Sequence, residues 1–299
     1  AHHSPLHVEG RVLMSVVAIG DNVVDCYLDS GMLYPGGNCV NVAVAVRKAG
    51  VSSAYIGALG TDAAGDVIHQ ALLDEGVDVS HVRKVDGTNA YATVRHDGSD
   101  RRFGPRDVGV RRFVPDSGDL SFLESFRIAH TSYCSFLEPS LADIAGRIRV
   151  SFDFDNGHET GYADNLLRHV WMAEFSGADL SHKEVREVAK WAHARGPEYV
   201  LITRGALGAL LFDGHTFVHQ EAQQADIVDT LGAGDAFIGR MLAGFATGEP
   251  VPDLLAAASA AASATCGTFG GFGHGVRTPD GYPPGMSANA VEVPARPTV

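Results

Sequence analysis

Apolar runs of strand length alternate along this chain with segments of helical length, and no other feature constrains the fold as tightly. Residues 12–19 (Val-Leu-Met-Ser-Val-Val-Ala-Ile) read as a buried first strand, and a helix runs through Val42 to its stop at Gly50. Ser53 to Leu59 is the next strand, with a helix to about Glu75 closed by Gly76. Arg127 to His130, Arg149 to Phe154, Trp171 to Phe175 and Tyr199 to Thr203 continue the series. Later helices are expected from Ser181 to near Ala194, Ala233 to about Ala246, and Leu254 to Cys266. Strands joined by helices of this length predict parallel βαβ units, hence an α/β domain with a mainly parallel central sheet.

One part of the chain breaks that rhythm. Ala90 to His96 alternates with period two, Asp97-Gly98 signals a hairpin, and Arg101 to Phe103 returns. With Tyr27 to Leu33 this predicts a small antiparallel sheet outside the main fold, from about residues 24–34 and 90–104. A small sheet with an apolar face needs a cover, so a homodimer through it is expected.

A length of 299 residues suits one large domain with a small addition. Residues 1–10 are polar and read as an extension or tag remnant, not a signal peptide; residues 11–275 hold the domain and 276–299 a tail. The net charge of −13 argues against nucleic acid or an anionic membrane as partner, and no apolar run approaches transmembrane length. The four cysteines are widely spaced with no C-x-x-C, as reduced thiols in a cytoplasmic protein would be.

The chemistry concentrates in glycine-rich turns that open helices. In Asp229-Thr-Leu-Gly232-Ala233-Gly234-Asp235, glycines remove the side chains that would keep an anion from the first-turn N–H groups. Asp235 sets a carboxylate beside that anion site, where it can take a proton from an attacking hydroxyl. Pro35-Gly36-Gly37-Asn38-Cys-Val-Asn41 opens an earlier helix with two amides that donate and accept. Gly20-Asp21-Asn22-Val-Val-Asp25 follows the first strand, at the carboxyl end where open α/β sheets bind ligands. Asp153, Asp155 and Asn156 form another polar strand end, equally readable as an Asx-rich turn. Ser181 with Glu184 has capping-box spacing, which suffices to explain a helix start.

The seven residues Asp229 to Asp235 resemble D-T-x-G-A-G-D, the C-terminal signature of the PfkB (ribokinase-like) carbohydrate kinases. Gly36-Gly37 with Asn41 is similar to that family's G-G-x-x-x-N, Gly57 to Gly65 to its G-x-x-G-x-D-x-x-G, and Thr203-x-Gly205-x-x-Gly208 to its T-x-G-x-x-G. The motifs stand in the family's order across roughly residues 12–275. The resemblance implies a ribokinase-like three-layer sandwich with a small β-sheet lid, and phosphorylation of a sugar hydroxyl by ATP with Mg²⁺. It implies Asp235 as base and the amides of Gly232, Ala233 and Gly234 as anion hole. Asp21, Asn22, Asp25, Gly36, Gly37, Asn38 and Asn41 would hold the sugar. Thr203, Gly205, Gly208 and Ser259 would line the nucleotide. Glu184 would act on magnesium-bound water, although Ser181 replaces the family's usual asparagine. The backbone near Asp229 would hold a monovalent cation such as K⁺. Asn38 departs from the lysine common at its position, which bears on which sugar. Gly20 to Asp25, Tyr34 to Asn41 and His130 to Ser135 look most like the branch acting on fructoselysine. A fructokinase or ribokinase-type activity is the nearest rival, and a silent sugar- or nucleotide-binding regulator the rival of another class.

Overall fold

The structure is a computed structural model that describes residues 14–97, 100–158 and 161–283. The 1–10 extension, the Gly98 position of the hairpin and residues 284–299 of the tail lie outside the described residues.

The chain runs β1 (Met14–Ile19), β2 (Val23–Tyr27), β3 (Met32–Gly36), α1 (Asn38–Lys48), β4 (Ser53–Gly60), α2 (Ala63–Asp74) and β5 (Val82–Val85). Next come β6 (Tyr91–Asp97), β7 (Asp100–Asp107), α3 (Ser117–Leu123), β8 (Phe126–Ser132), α4 (Leu141–Ala145), β9 (Arg149–Asp153) and β10 (Met172–Ser176). The last part holds α5 (His182–His193), β11 (Tyr199–Thr203), β12 (Ala209–Phe212), β13 (Phe217–Gln220), α6 (Ala233–Thr247), α7 (Val251–Thr265) and β14 (Val276–Arg277).

Nine strands form the central sheet in the order β13-β12-β11-β10-β9-β8-β1-β4-β5. All neighbours from β11 to β5 pair in parallel, and β12 and β13 add an antiparallel edge. Period-two alternation sorts the side chains. Val17, Ile19, Ala129, Val150, Phe152, Phe175 and Ile202 pack with Leu123, Leu141, Ile144, Val185 and Ala189 from α3, α4 and α5. Val16, Ile128, Met172 and Leu201 face the other way, onto Val42, Val46, Phe237, Met241, Leu242 and Leu254 from α1, α6 and α7. Three layers result. On the second face α6 lies close against α1: a Cβ on Gly239 would stand 2.5 Å from the Cβ of Ala45.

The second sheet has five strands in the order β14-β3-β2-β6-β7. It corrects two expectations. It is mixed rather than antiparallel, because β2 and β6 pair in parallel while β2–β3 and β6–β7 are antiparallel. The chain reaches β6 only after crossing the main fold, so β6 need not reverse direction as a hairpin partner must. The boundary at 275 also moves outward: β14 pairs antiparallel with β3, and Thr278 N–H donates to Gly31 O at 2.9 Å. Two residues with no periodicity of their own become a strand because the edge of β3 is there to pair with.

Candidate active site

The carboxyl ends of β1, β8, β9 and β10 meet the N-terminal ends of α1 and α6. Gly232 precedes α6 at φ 74°, a left-handed conformation that glycine adopts without cost. No side chain caps this helix, so its first-turn N–H groups are left to whatever lies beyond. A Cβ on Gly234 would meet nothing within 4 Å, so space opens directly over the helix end. Asp235 sits in that first turn.

Two amides from α1 hold the Asp235 carboxylate. Asn41 Nδ2 donates to Oδ2 at 2.7 Å and Asn38 Nδ2 to Oδ1 at 2.8 Å. The second Nδ2 hydrogen of Asn38 goes to Asp153 Oδ2 at 2.8 Å, and its Oδ1 lies 2.8 Å from His130 Nε2. Burial raises the Asp235 pKa to about 6; the bonds from Asn41 and Asn38 pull it down, and the charge of Asp21 pushes it up. Burial also raises Asp153, to about 8, with Asp235 and Asp155 adding to the rise and the Asp155 N–H opposing it. Two carboxyl groups bridged by one amide therefore hold protons with different strength, as an acid–base site requires.

The G-D-N-x-x-D turn divides its labour. Asp25 is buried beside Gly36, where a Cβ would come 2.7 Å from Asp25 Oδ2 and 3.8 Å from Asn41 Oδ1. Glycine at 36 thus keeps clear the space between two polar side chains that the sequence puts on the sugar. Asp21 instead points inward and serves α1. It accepts from the N–H of Asn38 at 2.8 Å and from the hydroxyls of Ser132 and Ser135 at 2.8 and 3.1 Å. Asn22 is the clearest departure from the sugar-binding expectation. It is fully buried, donates to Tyr55 Oη at 3.0 Å and Ala58 O at 2.8 Å, and accepts from Asn89 Nδ2 at 3.0 Å. Both of its donor hydrogens are thereby committed to the fold. Gly37, at φ 104°, passes so close to Asn22 that a Cβ would stand 2.6 Å from its Cα. Its requirement is packing and backbone conformation.

Asp229 fastens the loop before α6. It accepts from Leu231 N–H and Gly270 N–H, both at 3.0 Å, and from the Tyr27 hydroxyl of β2. Those bonds account for its burial without an ion.

The nucleotide-side positions gather around the end of β11. Thr203 closes that strand, and a Cβ on Gly205 would meet nothing within 4 Å. At Gly208, φ 87°, a Cβ would lie 2.0 Å from Gln220 O, so glycine is needed for the strand return. Ser259 departs from the expected base contact: its hydroxyl donates to Glu221 O and accepts from Gln223 N–H, both at 3.1 Å, which holds the loop after β13. Glu184 completes the capping box, accepting from Ser181 N–H at 2.8 Å while Ser181 Oγ accepts from Glu184 N–H at 3.3 Å. Among the described residues no group of three or more His, Cys, Asp or Glu is arranged to hold a metal ion. The residues present do not form a protein cage for Mg²⁺.

Several site residues carried no motif. His130 and Ser132 on β8, Ser151 and Asp153 on β9, and Glu174 and Ser176 on β10 share one face and form a polar stripe across the sheet. Polar residues two apart at the ends of otherwise apolar strands were the available signal. Of these, the sequence marks Asp153 as part of a polar turn, and His130 and Ser132 within the stretch His130 to Ser135.

Residues 8–146 and 167–273 match the family described as pfkB family carbohydrate kinase. Fructosamine kinase FrlD of Bacillus subtilis is 40% identical over 267 residues, covering 88% of this chain and 94% of that one. Fructoselysine 6-kinase of Escherichia coli is 32% identical over 256 residues, covering 85% and 97%. Among solved structures, Arabidopsis thaliana ribokinase complexed with ribose and ATP superposes with a TM-score of 0.76 at 22% identity, covering 84% of this chain and 92% of that one. Aminoimidazole riboside kinase from Salmonella enterica, complexed with its riboside and an ATP analogue, gives 0.71 at 25%, covering 89% and 96%. A buried carboxyl group held at the open end of a helix, on a mainly parallel sheet with a second sheet beside it, thus comes with a family match over most of the sequence, and the chain belongs to the pfkB family of carbohydrate kinases.

Proposed function

We propose that this chain transfers the γ-phosphoryl group of ATP to a hydroxyl of a fructosyl-amino acid such as fructoselysine. The observation that carries the reading is the Asp235 carboxylate, gripped by Asn38 and Asn41 at the open N-terminus of α6. A base of pKa about 6 is ionised at neutral pH yet basic enough to accept a proton as the new bond forms. The substrate hydroxyl attacks the γ-phosphorus, its proton passes to Asp235, and ADP leaves. The amides of Gly232, Ala233 and Gly234 face charge growing on the transferred group. Mg²⁺ would enter with the nucleotide and neutralise its phosphates. Asp25, Gly36 and Asn41 shape the sugar side, and Thr203, Gly205 and Gly208 the nucleotide side. The acidic neighbours Asp25 and Asp155 suit a substrate that carries a cationic amine, and the two curated relatives above bear fructosamine and fructoselysine in their names.

Four free cysteines fit a reducing cytoplasm, and among the described residues no helix is long and apolar enough to cross a membrane. The exposed Phe103 on β7 fits a homodimer through the second sheet, which light scattering would read. A monovalent cation near Asp229 would appear as K⁺-dependent turnover. The deciding experiment measures ADP release with ATP and Mg²⁺ over fructoselysine, fructose, ribose and nucleosides, for wild type and Asp235→Asn. Strong release with fructoselysine, lost about 10²–10⁴-fold in the variant, is expected. Equal turnover of plain fructose removes the substrate assignment, and an unimpaired Asp235→Asn removes the base. ATP binding with silence on every sugar favours a binding regulator.

A further inference from the structure

The polar stripe beneath the base contains groups for which the phosphoryl-transfer reading has no use. Ser151 Oγ lies 2.8 Å from His130 Nδ1 and 2.6 Å from Glu174 Oε1. His130, Ser151 and Glu174 are all buried, on three adjacent parallel strands. His130 and Ser151 face each other across β8 and β9, while Glu174 is paired in register with Asp153.

The hydrogens in this stripe can be counted. Asp153 and Asp235 both confront the Asn38 amide, so its NH₂ must face them and its Oδ1 must face His130. An oxygen can only accept, so His130 Nε2 carries a hydrogen. In a neutral imidazole Nδ1 then accepts, and the hydrogen within reach is that of Ser151. With its own hydrogen committed, Ser151 can bond Glu174 only by accepting, so Glu174 must be the carboxylic acid. Two observations agree. Glu174 Oε2 is buried with no hydrogen-bond partner, which is tolerable for a neutral acid and costly for a carboxylate. Burial holds His130 down at about 3, with Asp21 opposing, and pushes Glu174 well above the usual carboxylate range.

We propose that Glu174, Ser151 and His130 form a buried relay of positioning residues that donates Glu174→Ser151→His130→Asn38 and locks the Asn38 carboxamide with its NH₂ toward Asp235. The amide group has an alternative orientation that would turn its oxygen onto Asp235 and Asp153. Without the His130 N–H on Oδ1, only those two acidic side chains oppose a half-turn, and in the turned orientation Asp235 loses a donor and gains a repelling neighbour. The groups facing Asp235 are Asp21 from the β1–β2 turn, Asp153 from β9, the two amides of α1 and, beyond Asn41, Asp25 of β2. Those facing His130 are Asn38, Ser151 and, by its charge, Asp21.

The kinetic half of the test rests on Asp235 as the base; the spectroscopic half does not. Long-range ¹H–¹⁵N correlation on the full chain reads the His130 tautomer directly. Neutral Nε2–H is expected throughout pH 5–8, and Glu174→Gln, whose amide donates where the acid did, is expected to keep it. Ser151→Ala should mix the two tautomers. In kinetics, His130→Leu should move the acid limb of kcat/KM upward by about one pH unit, since an amide bond to the base is gone. Glu174→Gln should leave that limb in place. A cationic or Nδ1–H His130 in the wild type overturns the relay, as does an unmoved acid limb in a folded His130→Leu. If His130→Leu does not fold, the wild-type and Glu174→Gln tautomers decide. Wild-type turnover in Asp235→Asn would remove the base assignment and leave the tautomer result standing.

Discussion

Replacing Asn41 by leucine keeps the side chain's size and removes the 2.7 Å donor to Asp235 Oδ2. A hydrogen bond to a charged group is worth about 1.5–3 kcal/mol. At about 1.36 kcal/mol per pKa unit, losing it raises the base by about one to two units. Space over Gly234 admits water as a partial substitute, which favours the lower end. The Asp235 pKa of about 6 should therefore rise to about 7. At pH 6.5 the ionised fraction falls about threefold, whereas at pH 9 both proteins are fully ionised. The assay is ADP release at low sugar concentration from pH 5 to 9.5, because kcat/KM reports the free enzyme's base. Asn41→Leu should show its acid limb displaced upward by about one unit, beside a pH-independent loss from its place on the sugar side. A uniform loss at every pH, with the limb in its original place, would refute the claim that Asn41 tunes the base.

Other expectations follow from the same site. Asp153 holds its proton to about pH 8 in the fold, against an ordinary 3.8, so the folded chain binds more protons in that window and stability falls as pH rises through it. His130 acts oppositely: its folded value of about 3 lies below 6.5, so its contribution is lost as pH falls below 6.5. The urea midpoint should consequently decline between pH 6.5 and 8; a rise over that range contradicts the raised Asp153. Gly271→Ala would put a Cβ 2.5 Å from Asn41 Oδ1, so turnover should drop about ten-fold or more while ATP affinity holds, read by calorimetry beside kinetics. Ser181→Ala should cost about 1 kcal/mol of stability through the lost cap, measured by urea unfolding. Glu184→Ala with Mg²⁺-dependence and turnover intact would end any metal role for that carboxylate.

The fold was legible because strand and helix periods are written locally. α6 begins at Ala233, as the glycine-rich turn predicts, and β8 to β11 fall within a residue or two of their expected positions. The second sheet was only half legible. Its parallel β2–β6 pairing and the late strand β14 are set by which edges meet in space, and no local pattern records that. At the site, Asp235, Asn38 and Asn41 were readable because helix starts with glycines advertise backbone donors. The protein partners of Asn22 and Ser259 were not legible, because an amide or hydroxyl in a ligand-type position looks the same in sequence whether it turns to solvent or to a neighbouring carbonyl. Glu174 went unread, and His130 was read only as part of a resembling stretch, because their partners lie at least 21 residues away in the chain.

The second sheet is joined to the main body at several points, and three of them bear on the site. β2 leads directly out of β1, Tyr27 of β2 bonds Asp229 just ahead of α6, and β14 grips the outer edge of β3. The segment between α7 and β14 runs past Asp229 and Asn41, through Gly270 and Gly271. A cover attached by one strip could swing like a door and leave the catalytic groups untouched. This one is laced, so any displacement of it must pull on the strap that crosses Asn41 and on the loop that presents Asp235. A shift of the second sheet and a shift of the turn that carries Asp235 are in this architecture a single mechanical event.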